Sequence, residues 1–192
     1  MVGVGCEKKI TLSLVYREMK VTDNFLDDET FQQLKSVILG PMFDWNYVSM
    51  TDSLGEDPKK SSGQFVHLAY ANCVPRTTFF NSLLPVLNRL DVTTLNRVKL
   101  NLQPRTDKIV EGLFHADMNG EMNEETMRTW TTSVYYINSN NGYTELESGK
   151  RIESKENRMV EFESTMLHRG TTCTDEQTRV VINFNFLTLP KL

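Results

Sequence analysis

The sequence is poor in cysteine, and its three cysteines are too far apart to form a Cys-x-x-Cys pair: Cys6, Cys73 and Cys173. An odd number of widely spaced cysteines gives neither a disulfide framework nor a zinc knuckle. Free thiols are typical of proteins in the reducing cytoplasm. We therefore expect a cytoplasmic protein without disulfide bonds.

The chain also lacks a long apolar run, an excess of basic residues and internal repeats. No stretch has the length and apolar character of a signal peptide or a membrane span. The formal net charge is −4, whereas general nucleic-acid binding requires a basic surface. We therefore expect one soluble domain over residues 1–192 that binds no membrane and does not bind nucleic acid in general.

The N-terminal half, about residues 1–95, is predicted to hold a few strands and the helices of the protein. The helical segments have apolar residues at helical spacing, and the first of them has an acidic first turn and ends at a glycine–proline pair. Pro85 would kink or end the second helix. The predicted elements are strands 9–16 and 64–70, helices from Phe25 to Gly40 and from Thr77 to Leu90, and a polar loop over 51–63.

From about residue 96 to residue 190 the pattern is almost entirely that of β-structure. Many short strands separated by turn signals are typical of a β-sandwich or jelly roll. We therefore predict a mainly β protein whose sheets are braced from outside by two or three N-terminal helices. The candidate strands are 98–103, 108–117, 129–138, 143–146, 158–162 and 179–188.

Four residues in this half have the chemistry of a metal site next to a carboxylate site. His115 and Asp117 are two positions apart, and residues i and i+2 of a β-strand point to the same face. His168 lies 51 residues after Asp117, and Arg179 follows eleven residues later. Two imidazoles and one carboxylate form the facial triad of non-haem Fe(II) oxygenases, and arginine binds carboxylates through a rigid fork. The pattern predicts a site for Fe(II) and 2-oxoglutarate.

Residues 97–187 resemble the catalytic core of 2-oxoglutarate/Fe(II) dioxygenases of the prolyl-hydroxylase-like group, above all the small versions found in marine bacteriophage genomes. The N-terminal half is similar to the same family more loosely. Two departures affect the expected backbone shape but no metal ligand: Asn141-Gly142 stands where the family has two glycines, and Leu146-Glu147 replaces an aromatic residue. The resemblance rests on the stretches His115-Ala-Asp117, Thr131 to Asn138, Asn141 to Leu146, and His168-Arg-Gly170 with Arg179 following.

The resemblance implies a double-stranded β-helix (jelly roll) and a role for each motif residue. Fe(II) would be bound by His115, Asp117 and His168. The cosubstrate 2-oxoglutarate would be bound by Arg179 and by the Tyr136 hydroxyl, with Thr144 close by. The implied reaction couples oxidative decarboxylation of 2-oxoglutarate to hydroxylation of a substrate C–H bond with O2, and ascorbate is an additional candidate cofactor. The implied substrate is a peptidyl prolyl residue, and a phage-encoded enzyme would act in the host cytoplasm.

Several other residues are either interpreted as structural or have both a structural and a functional interpretation. His67 and Tyr135 are interpreted as packing residues, Tyr135 because it alternates with Tyr136 on its strand, and Cys173 as structural. Loops 51–63 and 118–128 are candidate lids over the substrate. Arg105, Arg128 and Trp130 lie either at the substrate mouth or in ordinary loop and packing positions, and the methionines Met118, Met122 and Met127 either line a groove or fill gaps.

Two other classes of protein also fit parts of the pattern. The first is a cupin-like metal protein that does not use 2-oxoglutarate. The position of Arg179 argues against this class. The second is a non-catalytic β-sandwich binding module. Burying His115 and Asp117 without partners would be costly, which argues against this class. Within the oxygenase interpretation, a nucleobase, a free amino acid or a small metabolite are the alternative substrates.

Overall fold

Two antiparallel sheets of unequal size face each other in the computed structural model, which describes residues 19–49, 63–118 and 123–188. The predicted strand 9–16 lies outside these ranges, as does all of the predicted loop 51–63 except Gly63. In the described part of the chain, no helix has the length and hydrophobicity needed to cross a membrane.

The larger sheet has eight strands and the smaller has three. The strands are β1 (Lys20–Thr22), β2 (Asn46–Val48), β3 (Gln64–Ala71), β4 (Val74–Pro75), β5 (Thr94–Pro104), β6 (Thr131–Tyr136), β7 (Tyr143–Leu146), β8 (Arg151–Glu153), β9 (Arg158–Glu163), β10 (His168–Gly170) and β11 (Thr178–Leu187). The order in the large sheet is β1-β9-β6-β11-β5-β3-β2, with β4 paired to β3, and the order in the small sheet is β10-β7-β8. Strand β11 therefore lies at the centre of the large sheet.

One predicted strand is wrong. Residues 108–117 form no continuous strand and make only two isolated bridges, Glu111 with Thr171 and His115 with His168. The backbone of this segment is hydrogen-bonded to residues 168–172 at Val110, Gly112 and His115, but these contacts form isolated bridges and no continuous ladder. The other predicted strands of the C-terminal half are confirmed to within about four residues at each end.

The helices follow the predictions in part. Helix α1 (Asp28–Ile38) begins after Asp27, whose side chain accepts a hydrogen bond from the Thr30 amide at 2.9 Å. The predicted second helix is divided into a 3-10 helix (Thr78–Leu83) and helix α2 (Leu84–Arg89), because Pro85 fits only into the first turn of an α-helix. Helix α3 (Glu124–Thr129) was not predicted and occupies part of the predicted loop 118–128.

The two faces of the large sheet have different partners. Helices α1 and α2 pack against one face, as predicted, and form the main core with the even-numbered side chains of β11: Val180, Ile182, Phe184 and Phe186. The small sheet packs against part of the other face in a second core, which contains Val134, Tyr136, Leu146, Ile152, Val160, Phe162 and Val181. The polar side chains of β11, Asn183 and Asn185, are thereby placed between the sheets.

Asn157 attaches the segment before α1 to the large sheet. Its side chain accepts hydrogen bonds from the Leu26 amide at 2.9 Å and the Tyr135 hydroxyl at 2.7 Å, and donates to the Leu26 carbonyl at 2.9 Å. The residue is buried and has a φ of 57°, a left-handed conformation that asparagine tolerates better than most residues. Tyr135 therefore lies on the face opposite Tyr136, as predicted.

Replacing Asn157 with alanine should lower the free energy of unfolding by about 3 kcal/mol, because buried groups of Leu26 and Tyr135 lose their partners. Urea denaturation measures the change. The exposed Asn88 on α2 provides the matched control, and Asn88→Ala should change the free energy of unfolding by less than about 0.5 kcal/mol. Equal stabilities of the two variants would contradict the anchoring role of Asn157.

Candidate active site

A cavity of about 560 Å³ lies on the polar face of the large sheet. Strands β5 and β11 form its floor, and residues of the irregular segment 110–117 and of 167–170 form the opposite wall. The floor and this wall bring together side chains that are far apart in sequence. Five of the six predicted site residues line the cavity directly: His115, Asp117, Thr144, His168 and Arg179.

His115, Asp117 and His168 form a compact group in which one potential ligand atom from each lies within 4.8 Å of the others. The backbone bridge between His115 and His168 holds two of them together, with N–H···O distances of 3.0 and 2.9 Å. His115 is therefore placed by this bridge and not by a regular strand as the i, i+2 argument assumed. The predicted triad is brought together in space.

The hydrogen bonds of the two imidazoles orient their Nε2 atoms toward the site. Nδ1 of His115 lies 3.1 Å from the Leu113 carbonyl oxygen, and Nδ1 of His168 lies 3.1 Å from that of Met166. A carbonyl oxygen only accepts, so Nδ1 carries a proton in both rings, and in the neutral form of each ring Nε2 is the nitrogen that can bind a metal. Nε2 of His168 is buried and has no hydrogen-bond partner among the described residues. This arrangement fits a metal ion, because metal-bound imidazoles commonly donate their other N–H to a carbonyl.

Burial affects the protonation of His168 and Asp117 in a way that suits ligation. Burial lowers the pKa of His168, which favours the neutral imidazole that binds metals. Burial also acts to raise the pKa of Asp117, but the electrostatic interactions with His168 and with the Arg97 guanidinium and the hydrogen bond from Asn185 outweigh it, so the pKa of Asp117 is lowered overall. Asp117 is therefore an ionised carboxylate inside the protein.

Two residues that the sequence gave no reason to select hold the Asp117 carboxylate. Arg97 forms an ion pair with Oδ1 at 2.8 Å, and Asn185 donates to Oδ2 at 3.1 Å. Asn185 also accepts a hydrogen bond from Arg97 at 3.2 Å and donates to Thr132 at 3.0 Å. Arg97, Asn185 and Thr132 are cross-strand neighbours on β5, β11 and β6, respectively. The one available signal was that Asn185, like Asn183, is a polar residue in the largely apolar run 180–187 of β11.

Arg179 lies at the end of the cavity away from the metal group, buried with a 4% exposed surface. Its Nε donates to Ser154 Oγ at 2.8 Å, and a terminal nitrogen donates to Thr144 Oγ1 at 3.0 Å. Among the described residues, no carboxylate lies within ion-pair distance of Arg179, and burial lowers its pKa. A buried guanidinium without a counter-charge is costly, so this end of the cavity favours an anion.

Tyr136 and Thr144 lie beside Arg179, as the resemblance implies. The Tyr136 hydroxyl donates to Thr144 Oγ1 at 2.8 Å, and the Arg179 guanidinium lies 5.6 Å from the centre of the Tyr136 ring. Thr144 is therefore shared between the two residues. Donation from Tyr136 to a cosubstrate stays a prediction, while Ser154 is a partner of Arg179 that the sequence analysis missed.

Gly142 leaves space for the Arg179 side chain. A Cβ atom at position 142 would lie 2.7 Å from both Arg179 Cδ and the Thr172 carbonyl oxygen. The backbone oxygen cannot move easily, so the single glycine of the Asn141-Gly142 turn is a steric requirement. A Cβ atom at Gly170 would meet only one atom, Arg179 Nη1, at the longer distance of 3.3 Å.

Gly142→Ala should lower the free energy of unfolding by about 1–3 kcal/mol, because the added methyl group overpacks a closed site. Gly170→Ala, which places a methyl group at a longer distance from the same arginine, is the control and should have a smaller effect. Thermal denaturation of both variants measures the difference. A larger loss for Gly170→Ala would show that Gly142 is not the steric cradle of Arg179.

The other residues singled out in the sequence lie outside the cavity. His67 contacts the Asp44 carbonyl at 2.8 Å and Thr77 Oγ1 at 2.9 Å, which agrees with a packing role. Arg105 is exposed, and Arg128 forms an ion pair with Glu124 at 2.6 Å. These positions favour the interpretation of all three as residues without a role at the substrate mouth.

Trp130, Met118 and Cys173 are buried and do not line the cavity. The Cys173 thiol lies 3.5 Å from the Glu176 carbonyl oxygen, to which it donates, and burial raises its pKa. Met127 is half-buried, and Met122 lies outside the described residues. The described methionines therefore fit the gap-filling interpretation better than a groove lining.

The structure is similar to solved structures of 2-oxoglutarate oxygenases, whereas no protein-family model and no curated protein matches the sequence. A Pseudomonas putida prolyl-4-hydroxylase gives a TM-score of 0.58 at 12% identity, over 89% of this chain and 92% of that chain. The viral collagen prolyl hydroxylase of Paramecium Bursaria Chlorella virus-1, solved with 2-oxoglutarate, gives 0.52 at 12% identity, over 90% and 97%.

A prolyl hydroxylase from Trichoplax adhaerens, solved with a peptide fragment of hypoxia inducible factor, gives a TM-score of 0.54 at 15% identity, over 88% of this chain and 83% of that chain. An oxidoreductase of the 2OG-Fe(II) oxygenase family from Burkholderia pseudomallei gives 0.59 at 9% identity, over 88% and 84%. At these identities the similarity concerns the fold, and it confirms the predicted jelly roll.

Proposed function

We propose that the protein is an Fe(II)- and 2-oxoglutarate-dependent oxygenase that couples oxidative decarboxylation of 2-oxoglutarate to hydroxylation of a substrate C–H bond. The observation that carries the proposal is a single cavity with two histidines and an aspartate near one end and a buried arginine at the other. A facial triad suits Fe(II), and a buried guanidinium suits the distal carboxylate of a keto acid.

The metal end would hold Fe(II) through Nε2 of His115 and His168 and through the Asp117 carboxylate. The bound iron, 2-oxoglutarate and O2 supply the oxidising chemistry, with ascorbate as a candidate reductant. The protein keeps both imidazoles in the tautomer that binds metal, through the carbonyls of Leu113 and Met166. Arg97 and Asn185 fix the direction of the carboxylate, since each holds one of its oxygens.

The arginine end would hold the cosubstrate. Arg179 is fixed by Ser154 and Thr144, so little side-chain entropy remains to be lost when an anion binds. The Tyr136 hydroxyl donates a hydrogen bond to Thr144 Oγ1 and is the second candidate donor to the carboxylate. Its burial raises the pKa of Tyr136, so the hydroxyl keeps the proton that a donor needs.

The proposed substrate is a peptidyl prolyl residue. The similar structures include prolyl hydroxylases, and one of these was solved with a bound peptide. Three exposed apolar side chains also line the cavity, with exposed fractions of 43% for Leu113, 39% for Phe114 and 36% for Leu167. They flank the two histidines and offer an apolar surface to an aliphatic ring next to the metal.

Succinate release tests the proposal. The purified protein is incubated with Fe(II), ascorbate, 2-oxoglutarate and a panel of proline-containing peptides, free amino acids and nucleotides. We expect succinate above the no-substrate background with the peptides and a mass gain of one oxygen in the peptide. Metal binding without any 2-oxoglutarate binding would favour a cupin-like protein, and absence of metal binding would favour a non-catalytic β-sandwich.

A further inference from the structure

Two arginines and two glutamates form a charge-neutral network on the small sheet, beside the metal end of the cavity. The strand register places Arg169 of β10 and Arg151 of β8 on either side of Glu145 of β7. Glu111, from the irregular segment 110–117, pairs with both arginines. We refer to these four residues as the arginine–glutamate network, which none of the six predicted site residues belongs to.

The contacts within the network are short and partly shielded from solvent. Arg169 donates from Nε to Glu145 Oε2 at 2.7 Å and forms an ion pair from Nη2 with Glu111 Oε2 at 2.6 Å. Arg151 donates to Glu145 Oε1 at 2.8 Å, and the Tyr143 hydroxyl donates to Glu111 Oε1 at 2.6 Å. The side chains of Glu145 and Arg169 are only 8% and 20% exposed, so removing one of these charges leaves its partner poorly compensated.

Arg169 contacts segment 110–117 at two points that enclose the region just before His115. It pairs with Glu111, and its guanidinium lies 4.5 Å from the centre of the Phe114 ring. Phe114 directly precedes His115, and Arg169 directly follows His168. The two histidines are joined by the backbone bridge, and their ring centres are 4.7 Å apart. The pair Arg169–Phe114 is therefore the immediate neighbour of the pair of candidate metal ligands.

His115 is the candidate ligand whose position depends most on such support. Its side chain is 37% exposed, whereas His168 is buried and Asp117 is held by Arg97 and Asn185 of the large sheet. The backbone of segment 110–117 meets residues 168–172 only through isolated bridges. The arginine–glutamate network adds side-chain contacts where a continuous ladder is missing, and so fixes the distance between His115 and His168.

We propose that Arg169 is a positioning residue of the metal site. Through Glu111 and Phe114 it holds segment 110–117 against the small sheet, and thereby places Nε2 of His115 beside His168 and Asp117. Arg169 itself contacts no metal and acts through His115. The inference rests on the metal site of the proposed oxygenase and assigns to it a residue from outside the cavity.

The test compares Arg169→Gln with Arg158→Gln by isothermal titration with Mn(II) and by thermal denaturation. Arg158 is the matched control, because it forms a two-pronged pair with Asp23, at 2.6 and 3.1 Å, away from the cavity. We expect Arg169→Gln to weaken Mn(II) binding at least about tenfold, as loss of residues that orient metal ligands commonly does. Arg158→Gln should lower the stability but leave Mn(II) affinity within about twofold, and Arg169→Lys should restore part of the affinity.

The visible absorption spectrum of the protein saturated with Co(II) separates positioning from general stabilisation, because it reports the geometry of the bound ion. We expect an altered spectrum for folded Arg169→Gln and the parent spectrum for Arg158→Gln. Glu111→Gln is the second variant and decides the matter if Arg169→Gln does not fold. It keeps an acceptor for the Tyr143 hydroxyl but loses the charge that pairs with Arg169, and should weaken Mn(II) binding at least about threefold.

Unchanged Mn(II) affinity and an unchanged Co(II) spectrum in folded Arg169→Gln, or in folded Glu111→Gln, would overturn the inference and leave the oxygenase function intact. An equal loss of Mn(II) affinity in Arg158→Gln would also overturn it, because the effect would then follow stability alone. A parent protein that binds neither Mn(II) nor Co(II) would overturn both the inference and the proposed function.

Discussion

Replacing His168 with alanine is expected to abolish succinate formation and to weaken Mn(II) binding at least about hundredfold. Loss of a residue that only orients a metal ligand commonly costs 10–100-fold in affinity, and loss of a ligand should cost at least as much. His168 is buried, and its Nε2 has no hydrogen-bond partner in the described ranges. The alanine variant therefore removes an unsatisfied polar atom as well as a ring, and we expect the fold to be retained.

His67 provides the matched control, because it is also a buried histidine but lies outside the cavity. His67→Gln should leave Mn(II) affinity within about twofold of the parent protein. Isothermal titration with Mn(II) and circular dichroism of both variants separate loss of the metal site from loss of the fold. If a folded His168→Ala protein keeps full activity, the assigned triad is wrong.

Replacing Arg179 with methionine should raise the KM for 2-oxoglutarate at least about thirtyfold and leave Mn(II) affinity nearly unchanged. Truncating one partner of a buried, hydrogen-bonded charge pair costs about 2–5 kcal/mol, and each 1.4 kcal/mol is about tenfold. Arg179 contacts Ser154 and Thr144 but none of the three triad residues. The two ends of the cavity are therefore expected to respond independently.

Arg105 is the control for this substitution, because it is an exposed arginine outside the cavity. Arg105→Met should not change the KM for 2-oxoglutarate. Arg179→Lys, which keeps a charge but loses the planar fork, should lie between the parent and Arg179→Met. Unchanged 2-oxoglutarate dependence in a folded Arg179→Met variant would assign the cosubstrate to another residue.

The parts of the fold that follow from local pattern were predictable. Strands β6, β7, β9 and β11 have clear alternation or turn signals, and their bounds agree with the prediction to within a few residues. Residues 108–117 have a comparable pattern, but their backbone pairs with residues 168–172 only through isolated bridges, which a sequence pattern does not distinguish from a continuous ladder. Helix α3 is six residues long and shows little periodicity, so its sequence resembled a loop.

The candidate site, like the fold, contains residues that the sequence could predict and residues that it could not. His115, Asp117, His168 and Arg179 could be selected because their types and order form a motif with a chemical meaning. Arg97, Asn185 and Ser154 could not, because each acts on a site residue that is distant from it in sequence. Such contacts depend on strand register and side-chain direction, which one sequence does not determine.

The hydrogen bonds around Asp117 and the two histidines bear on which metal the protein acquires in a cell. Arg97 and Asn185 hold the carboxylate and two carbonyls hold the imidazoles, so hydrogen bonds within the fold set the directions of the three candidate ligands. A pocket of this kind accepts divalent ions in the general order of their ligand affinity, in which Ni(II), Cu(II) and Zn(II) exceed Fe(II). Under the proposed function, correct metallation is consequently decided by which ions the cell makes available, and trace zinc or nickel in a purification would occupy the pocket in place of iron.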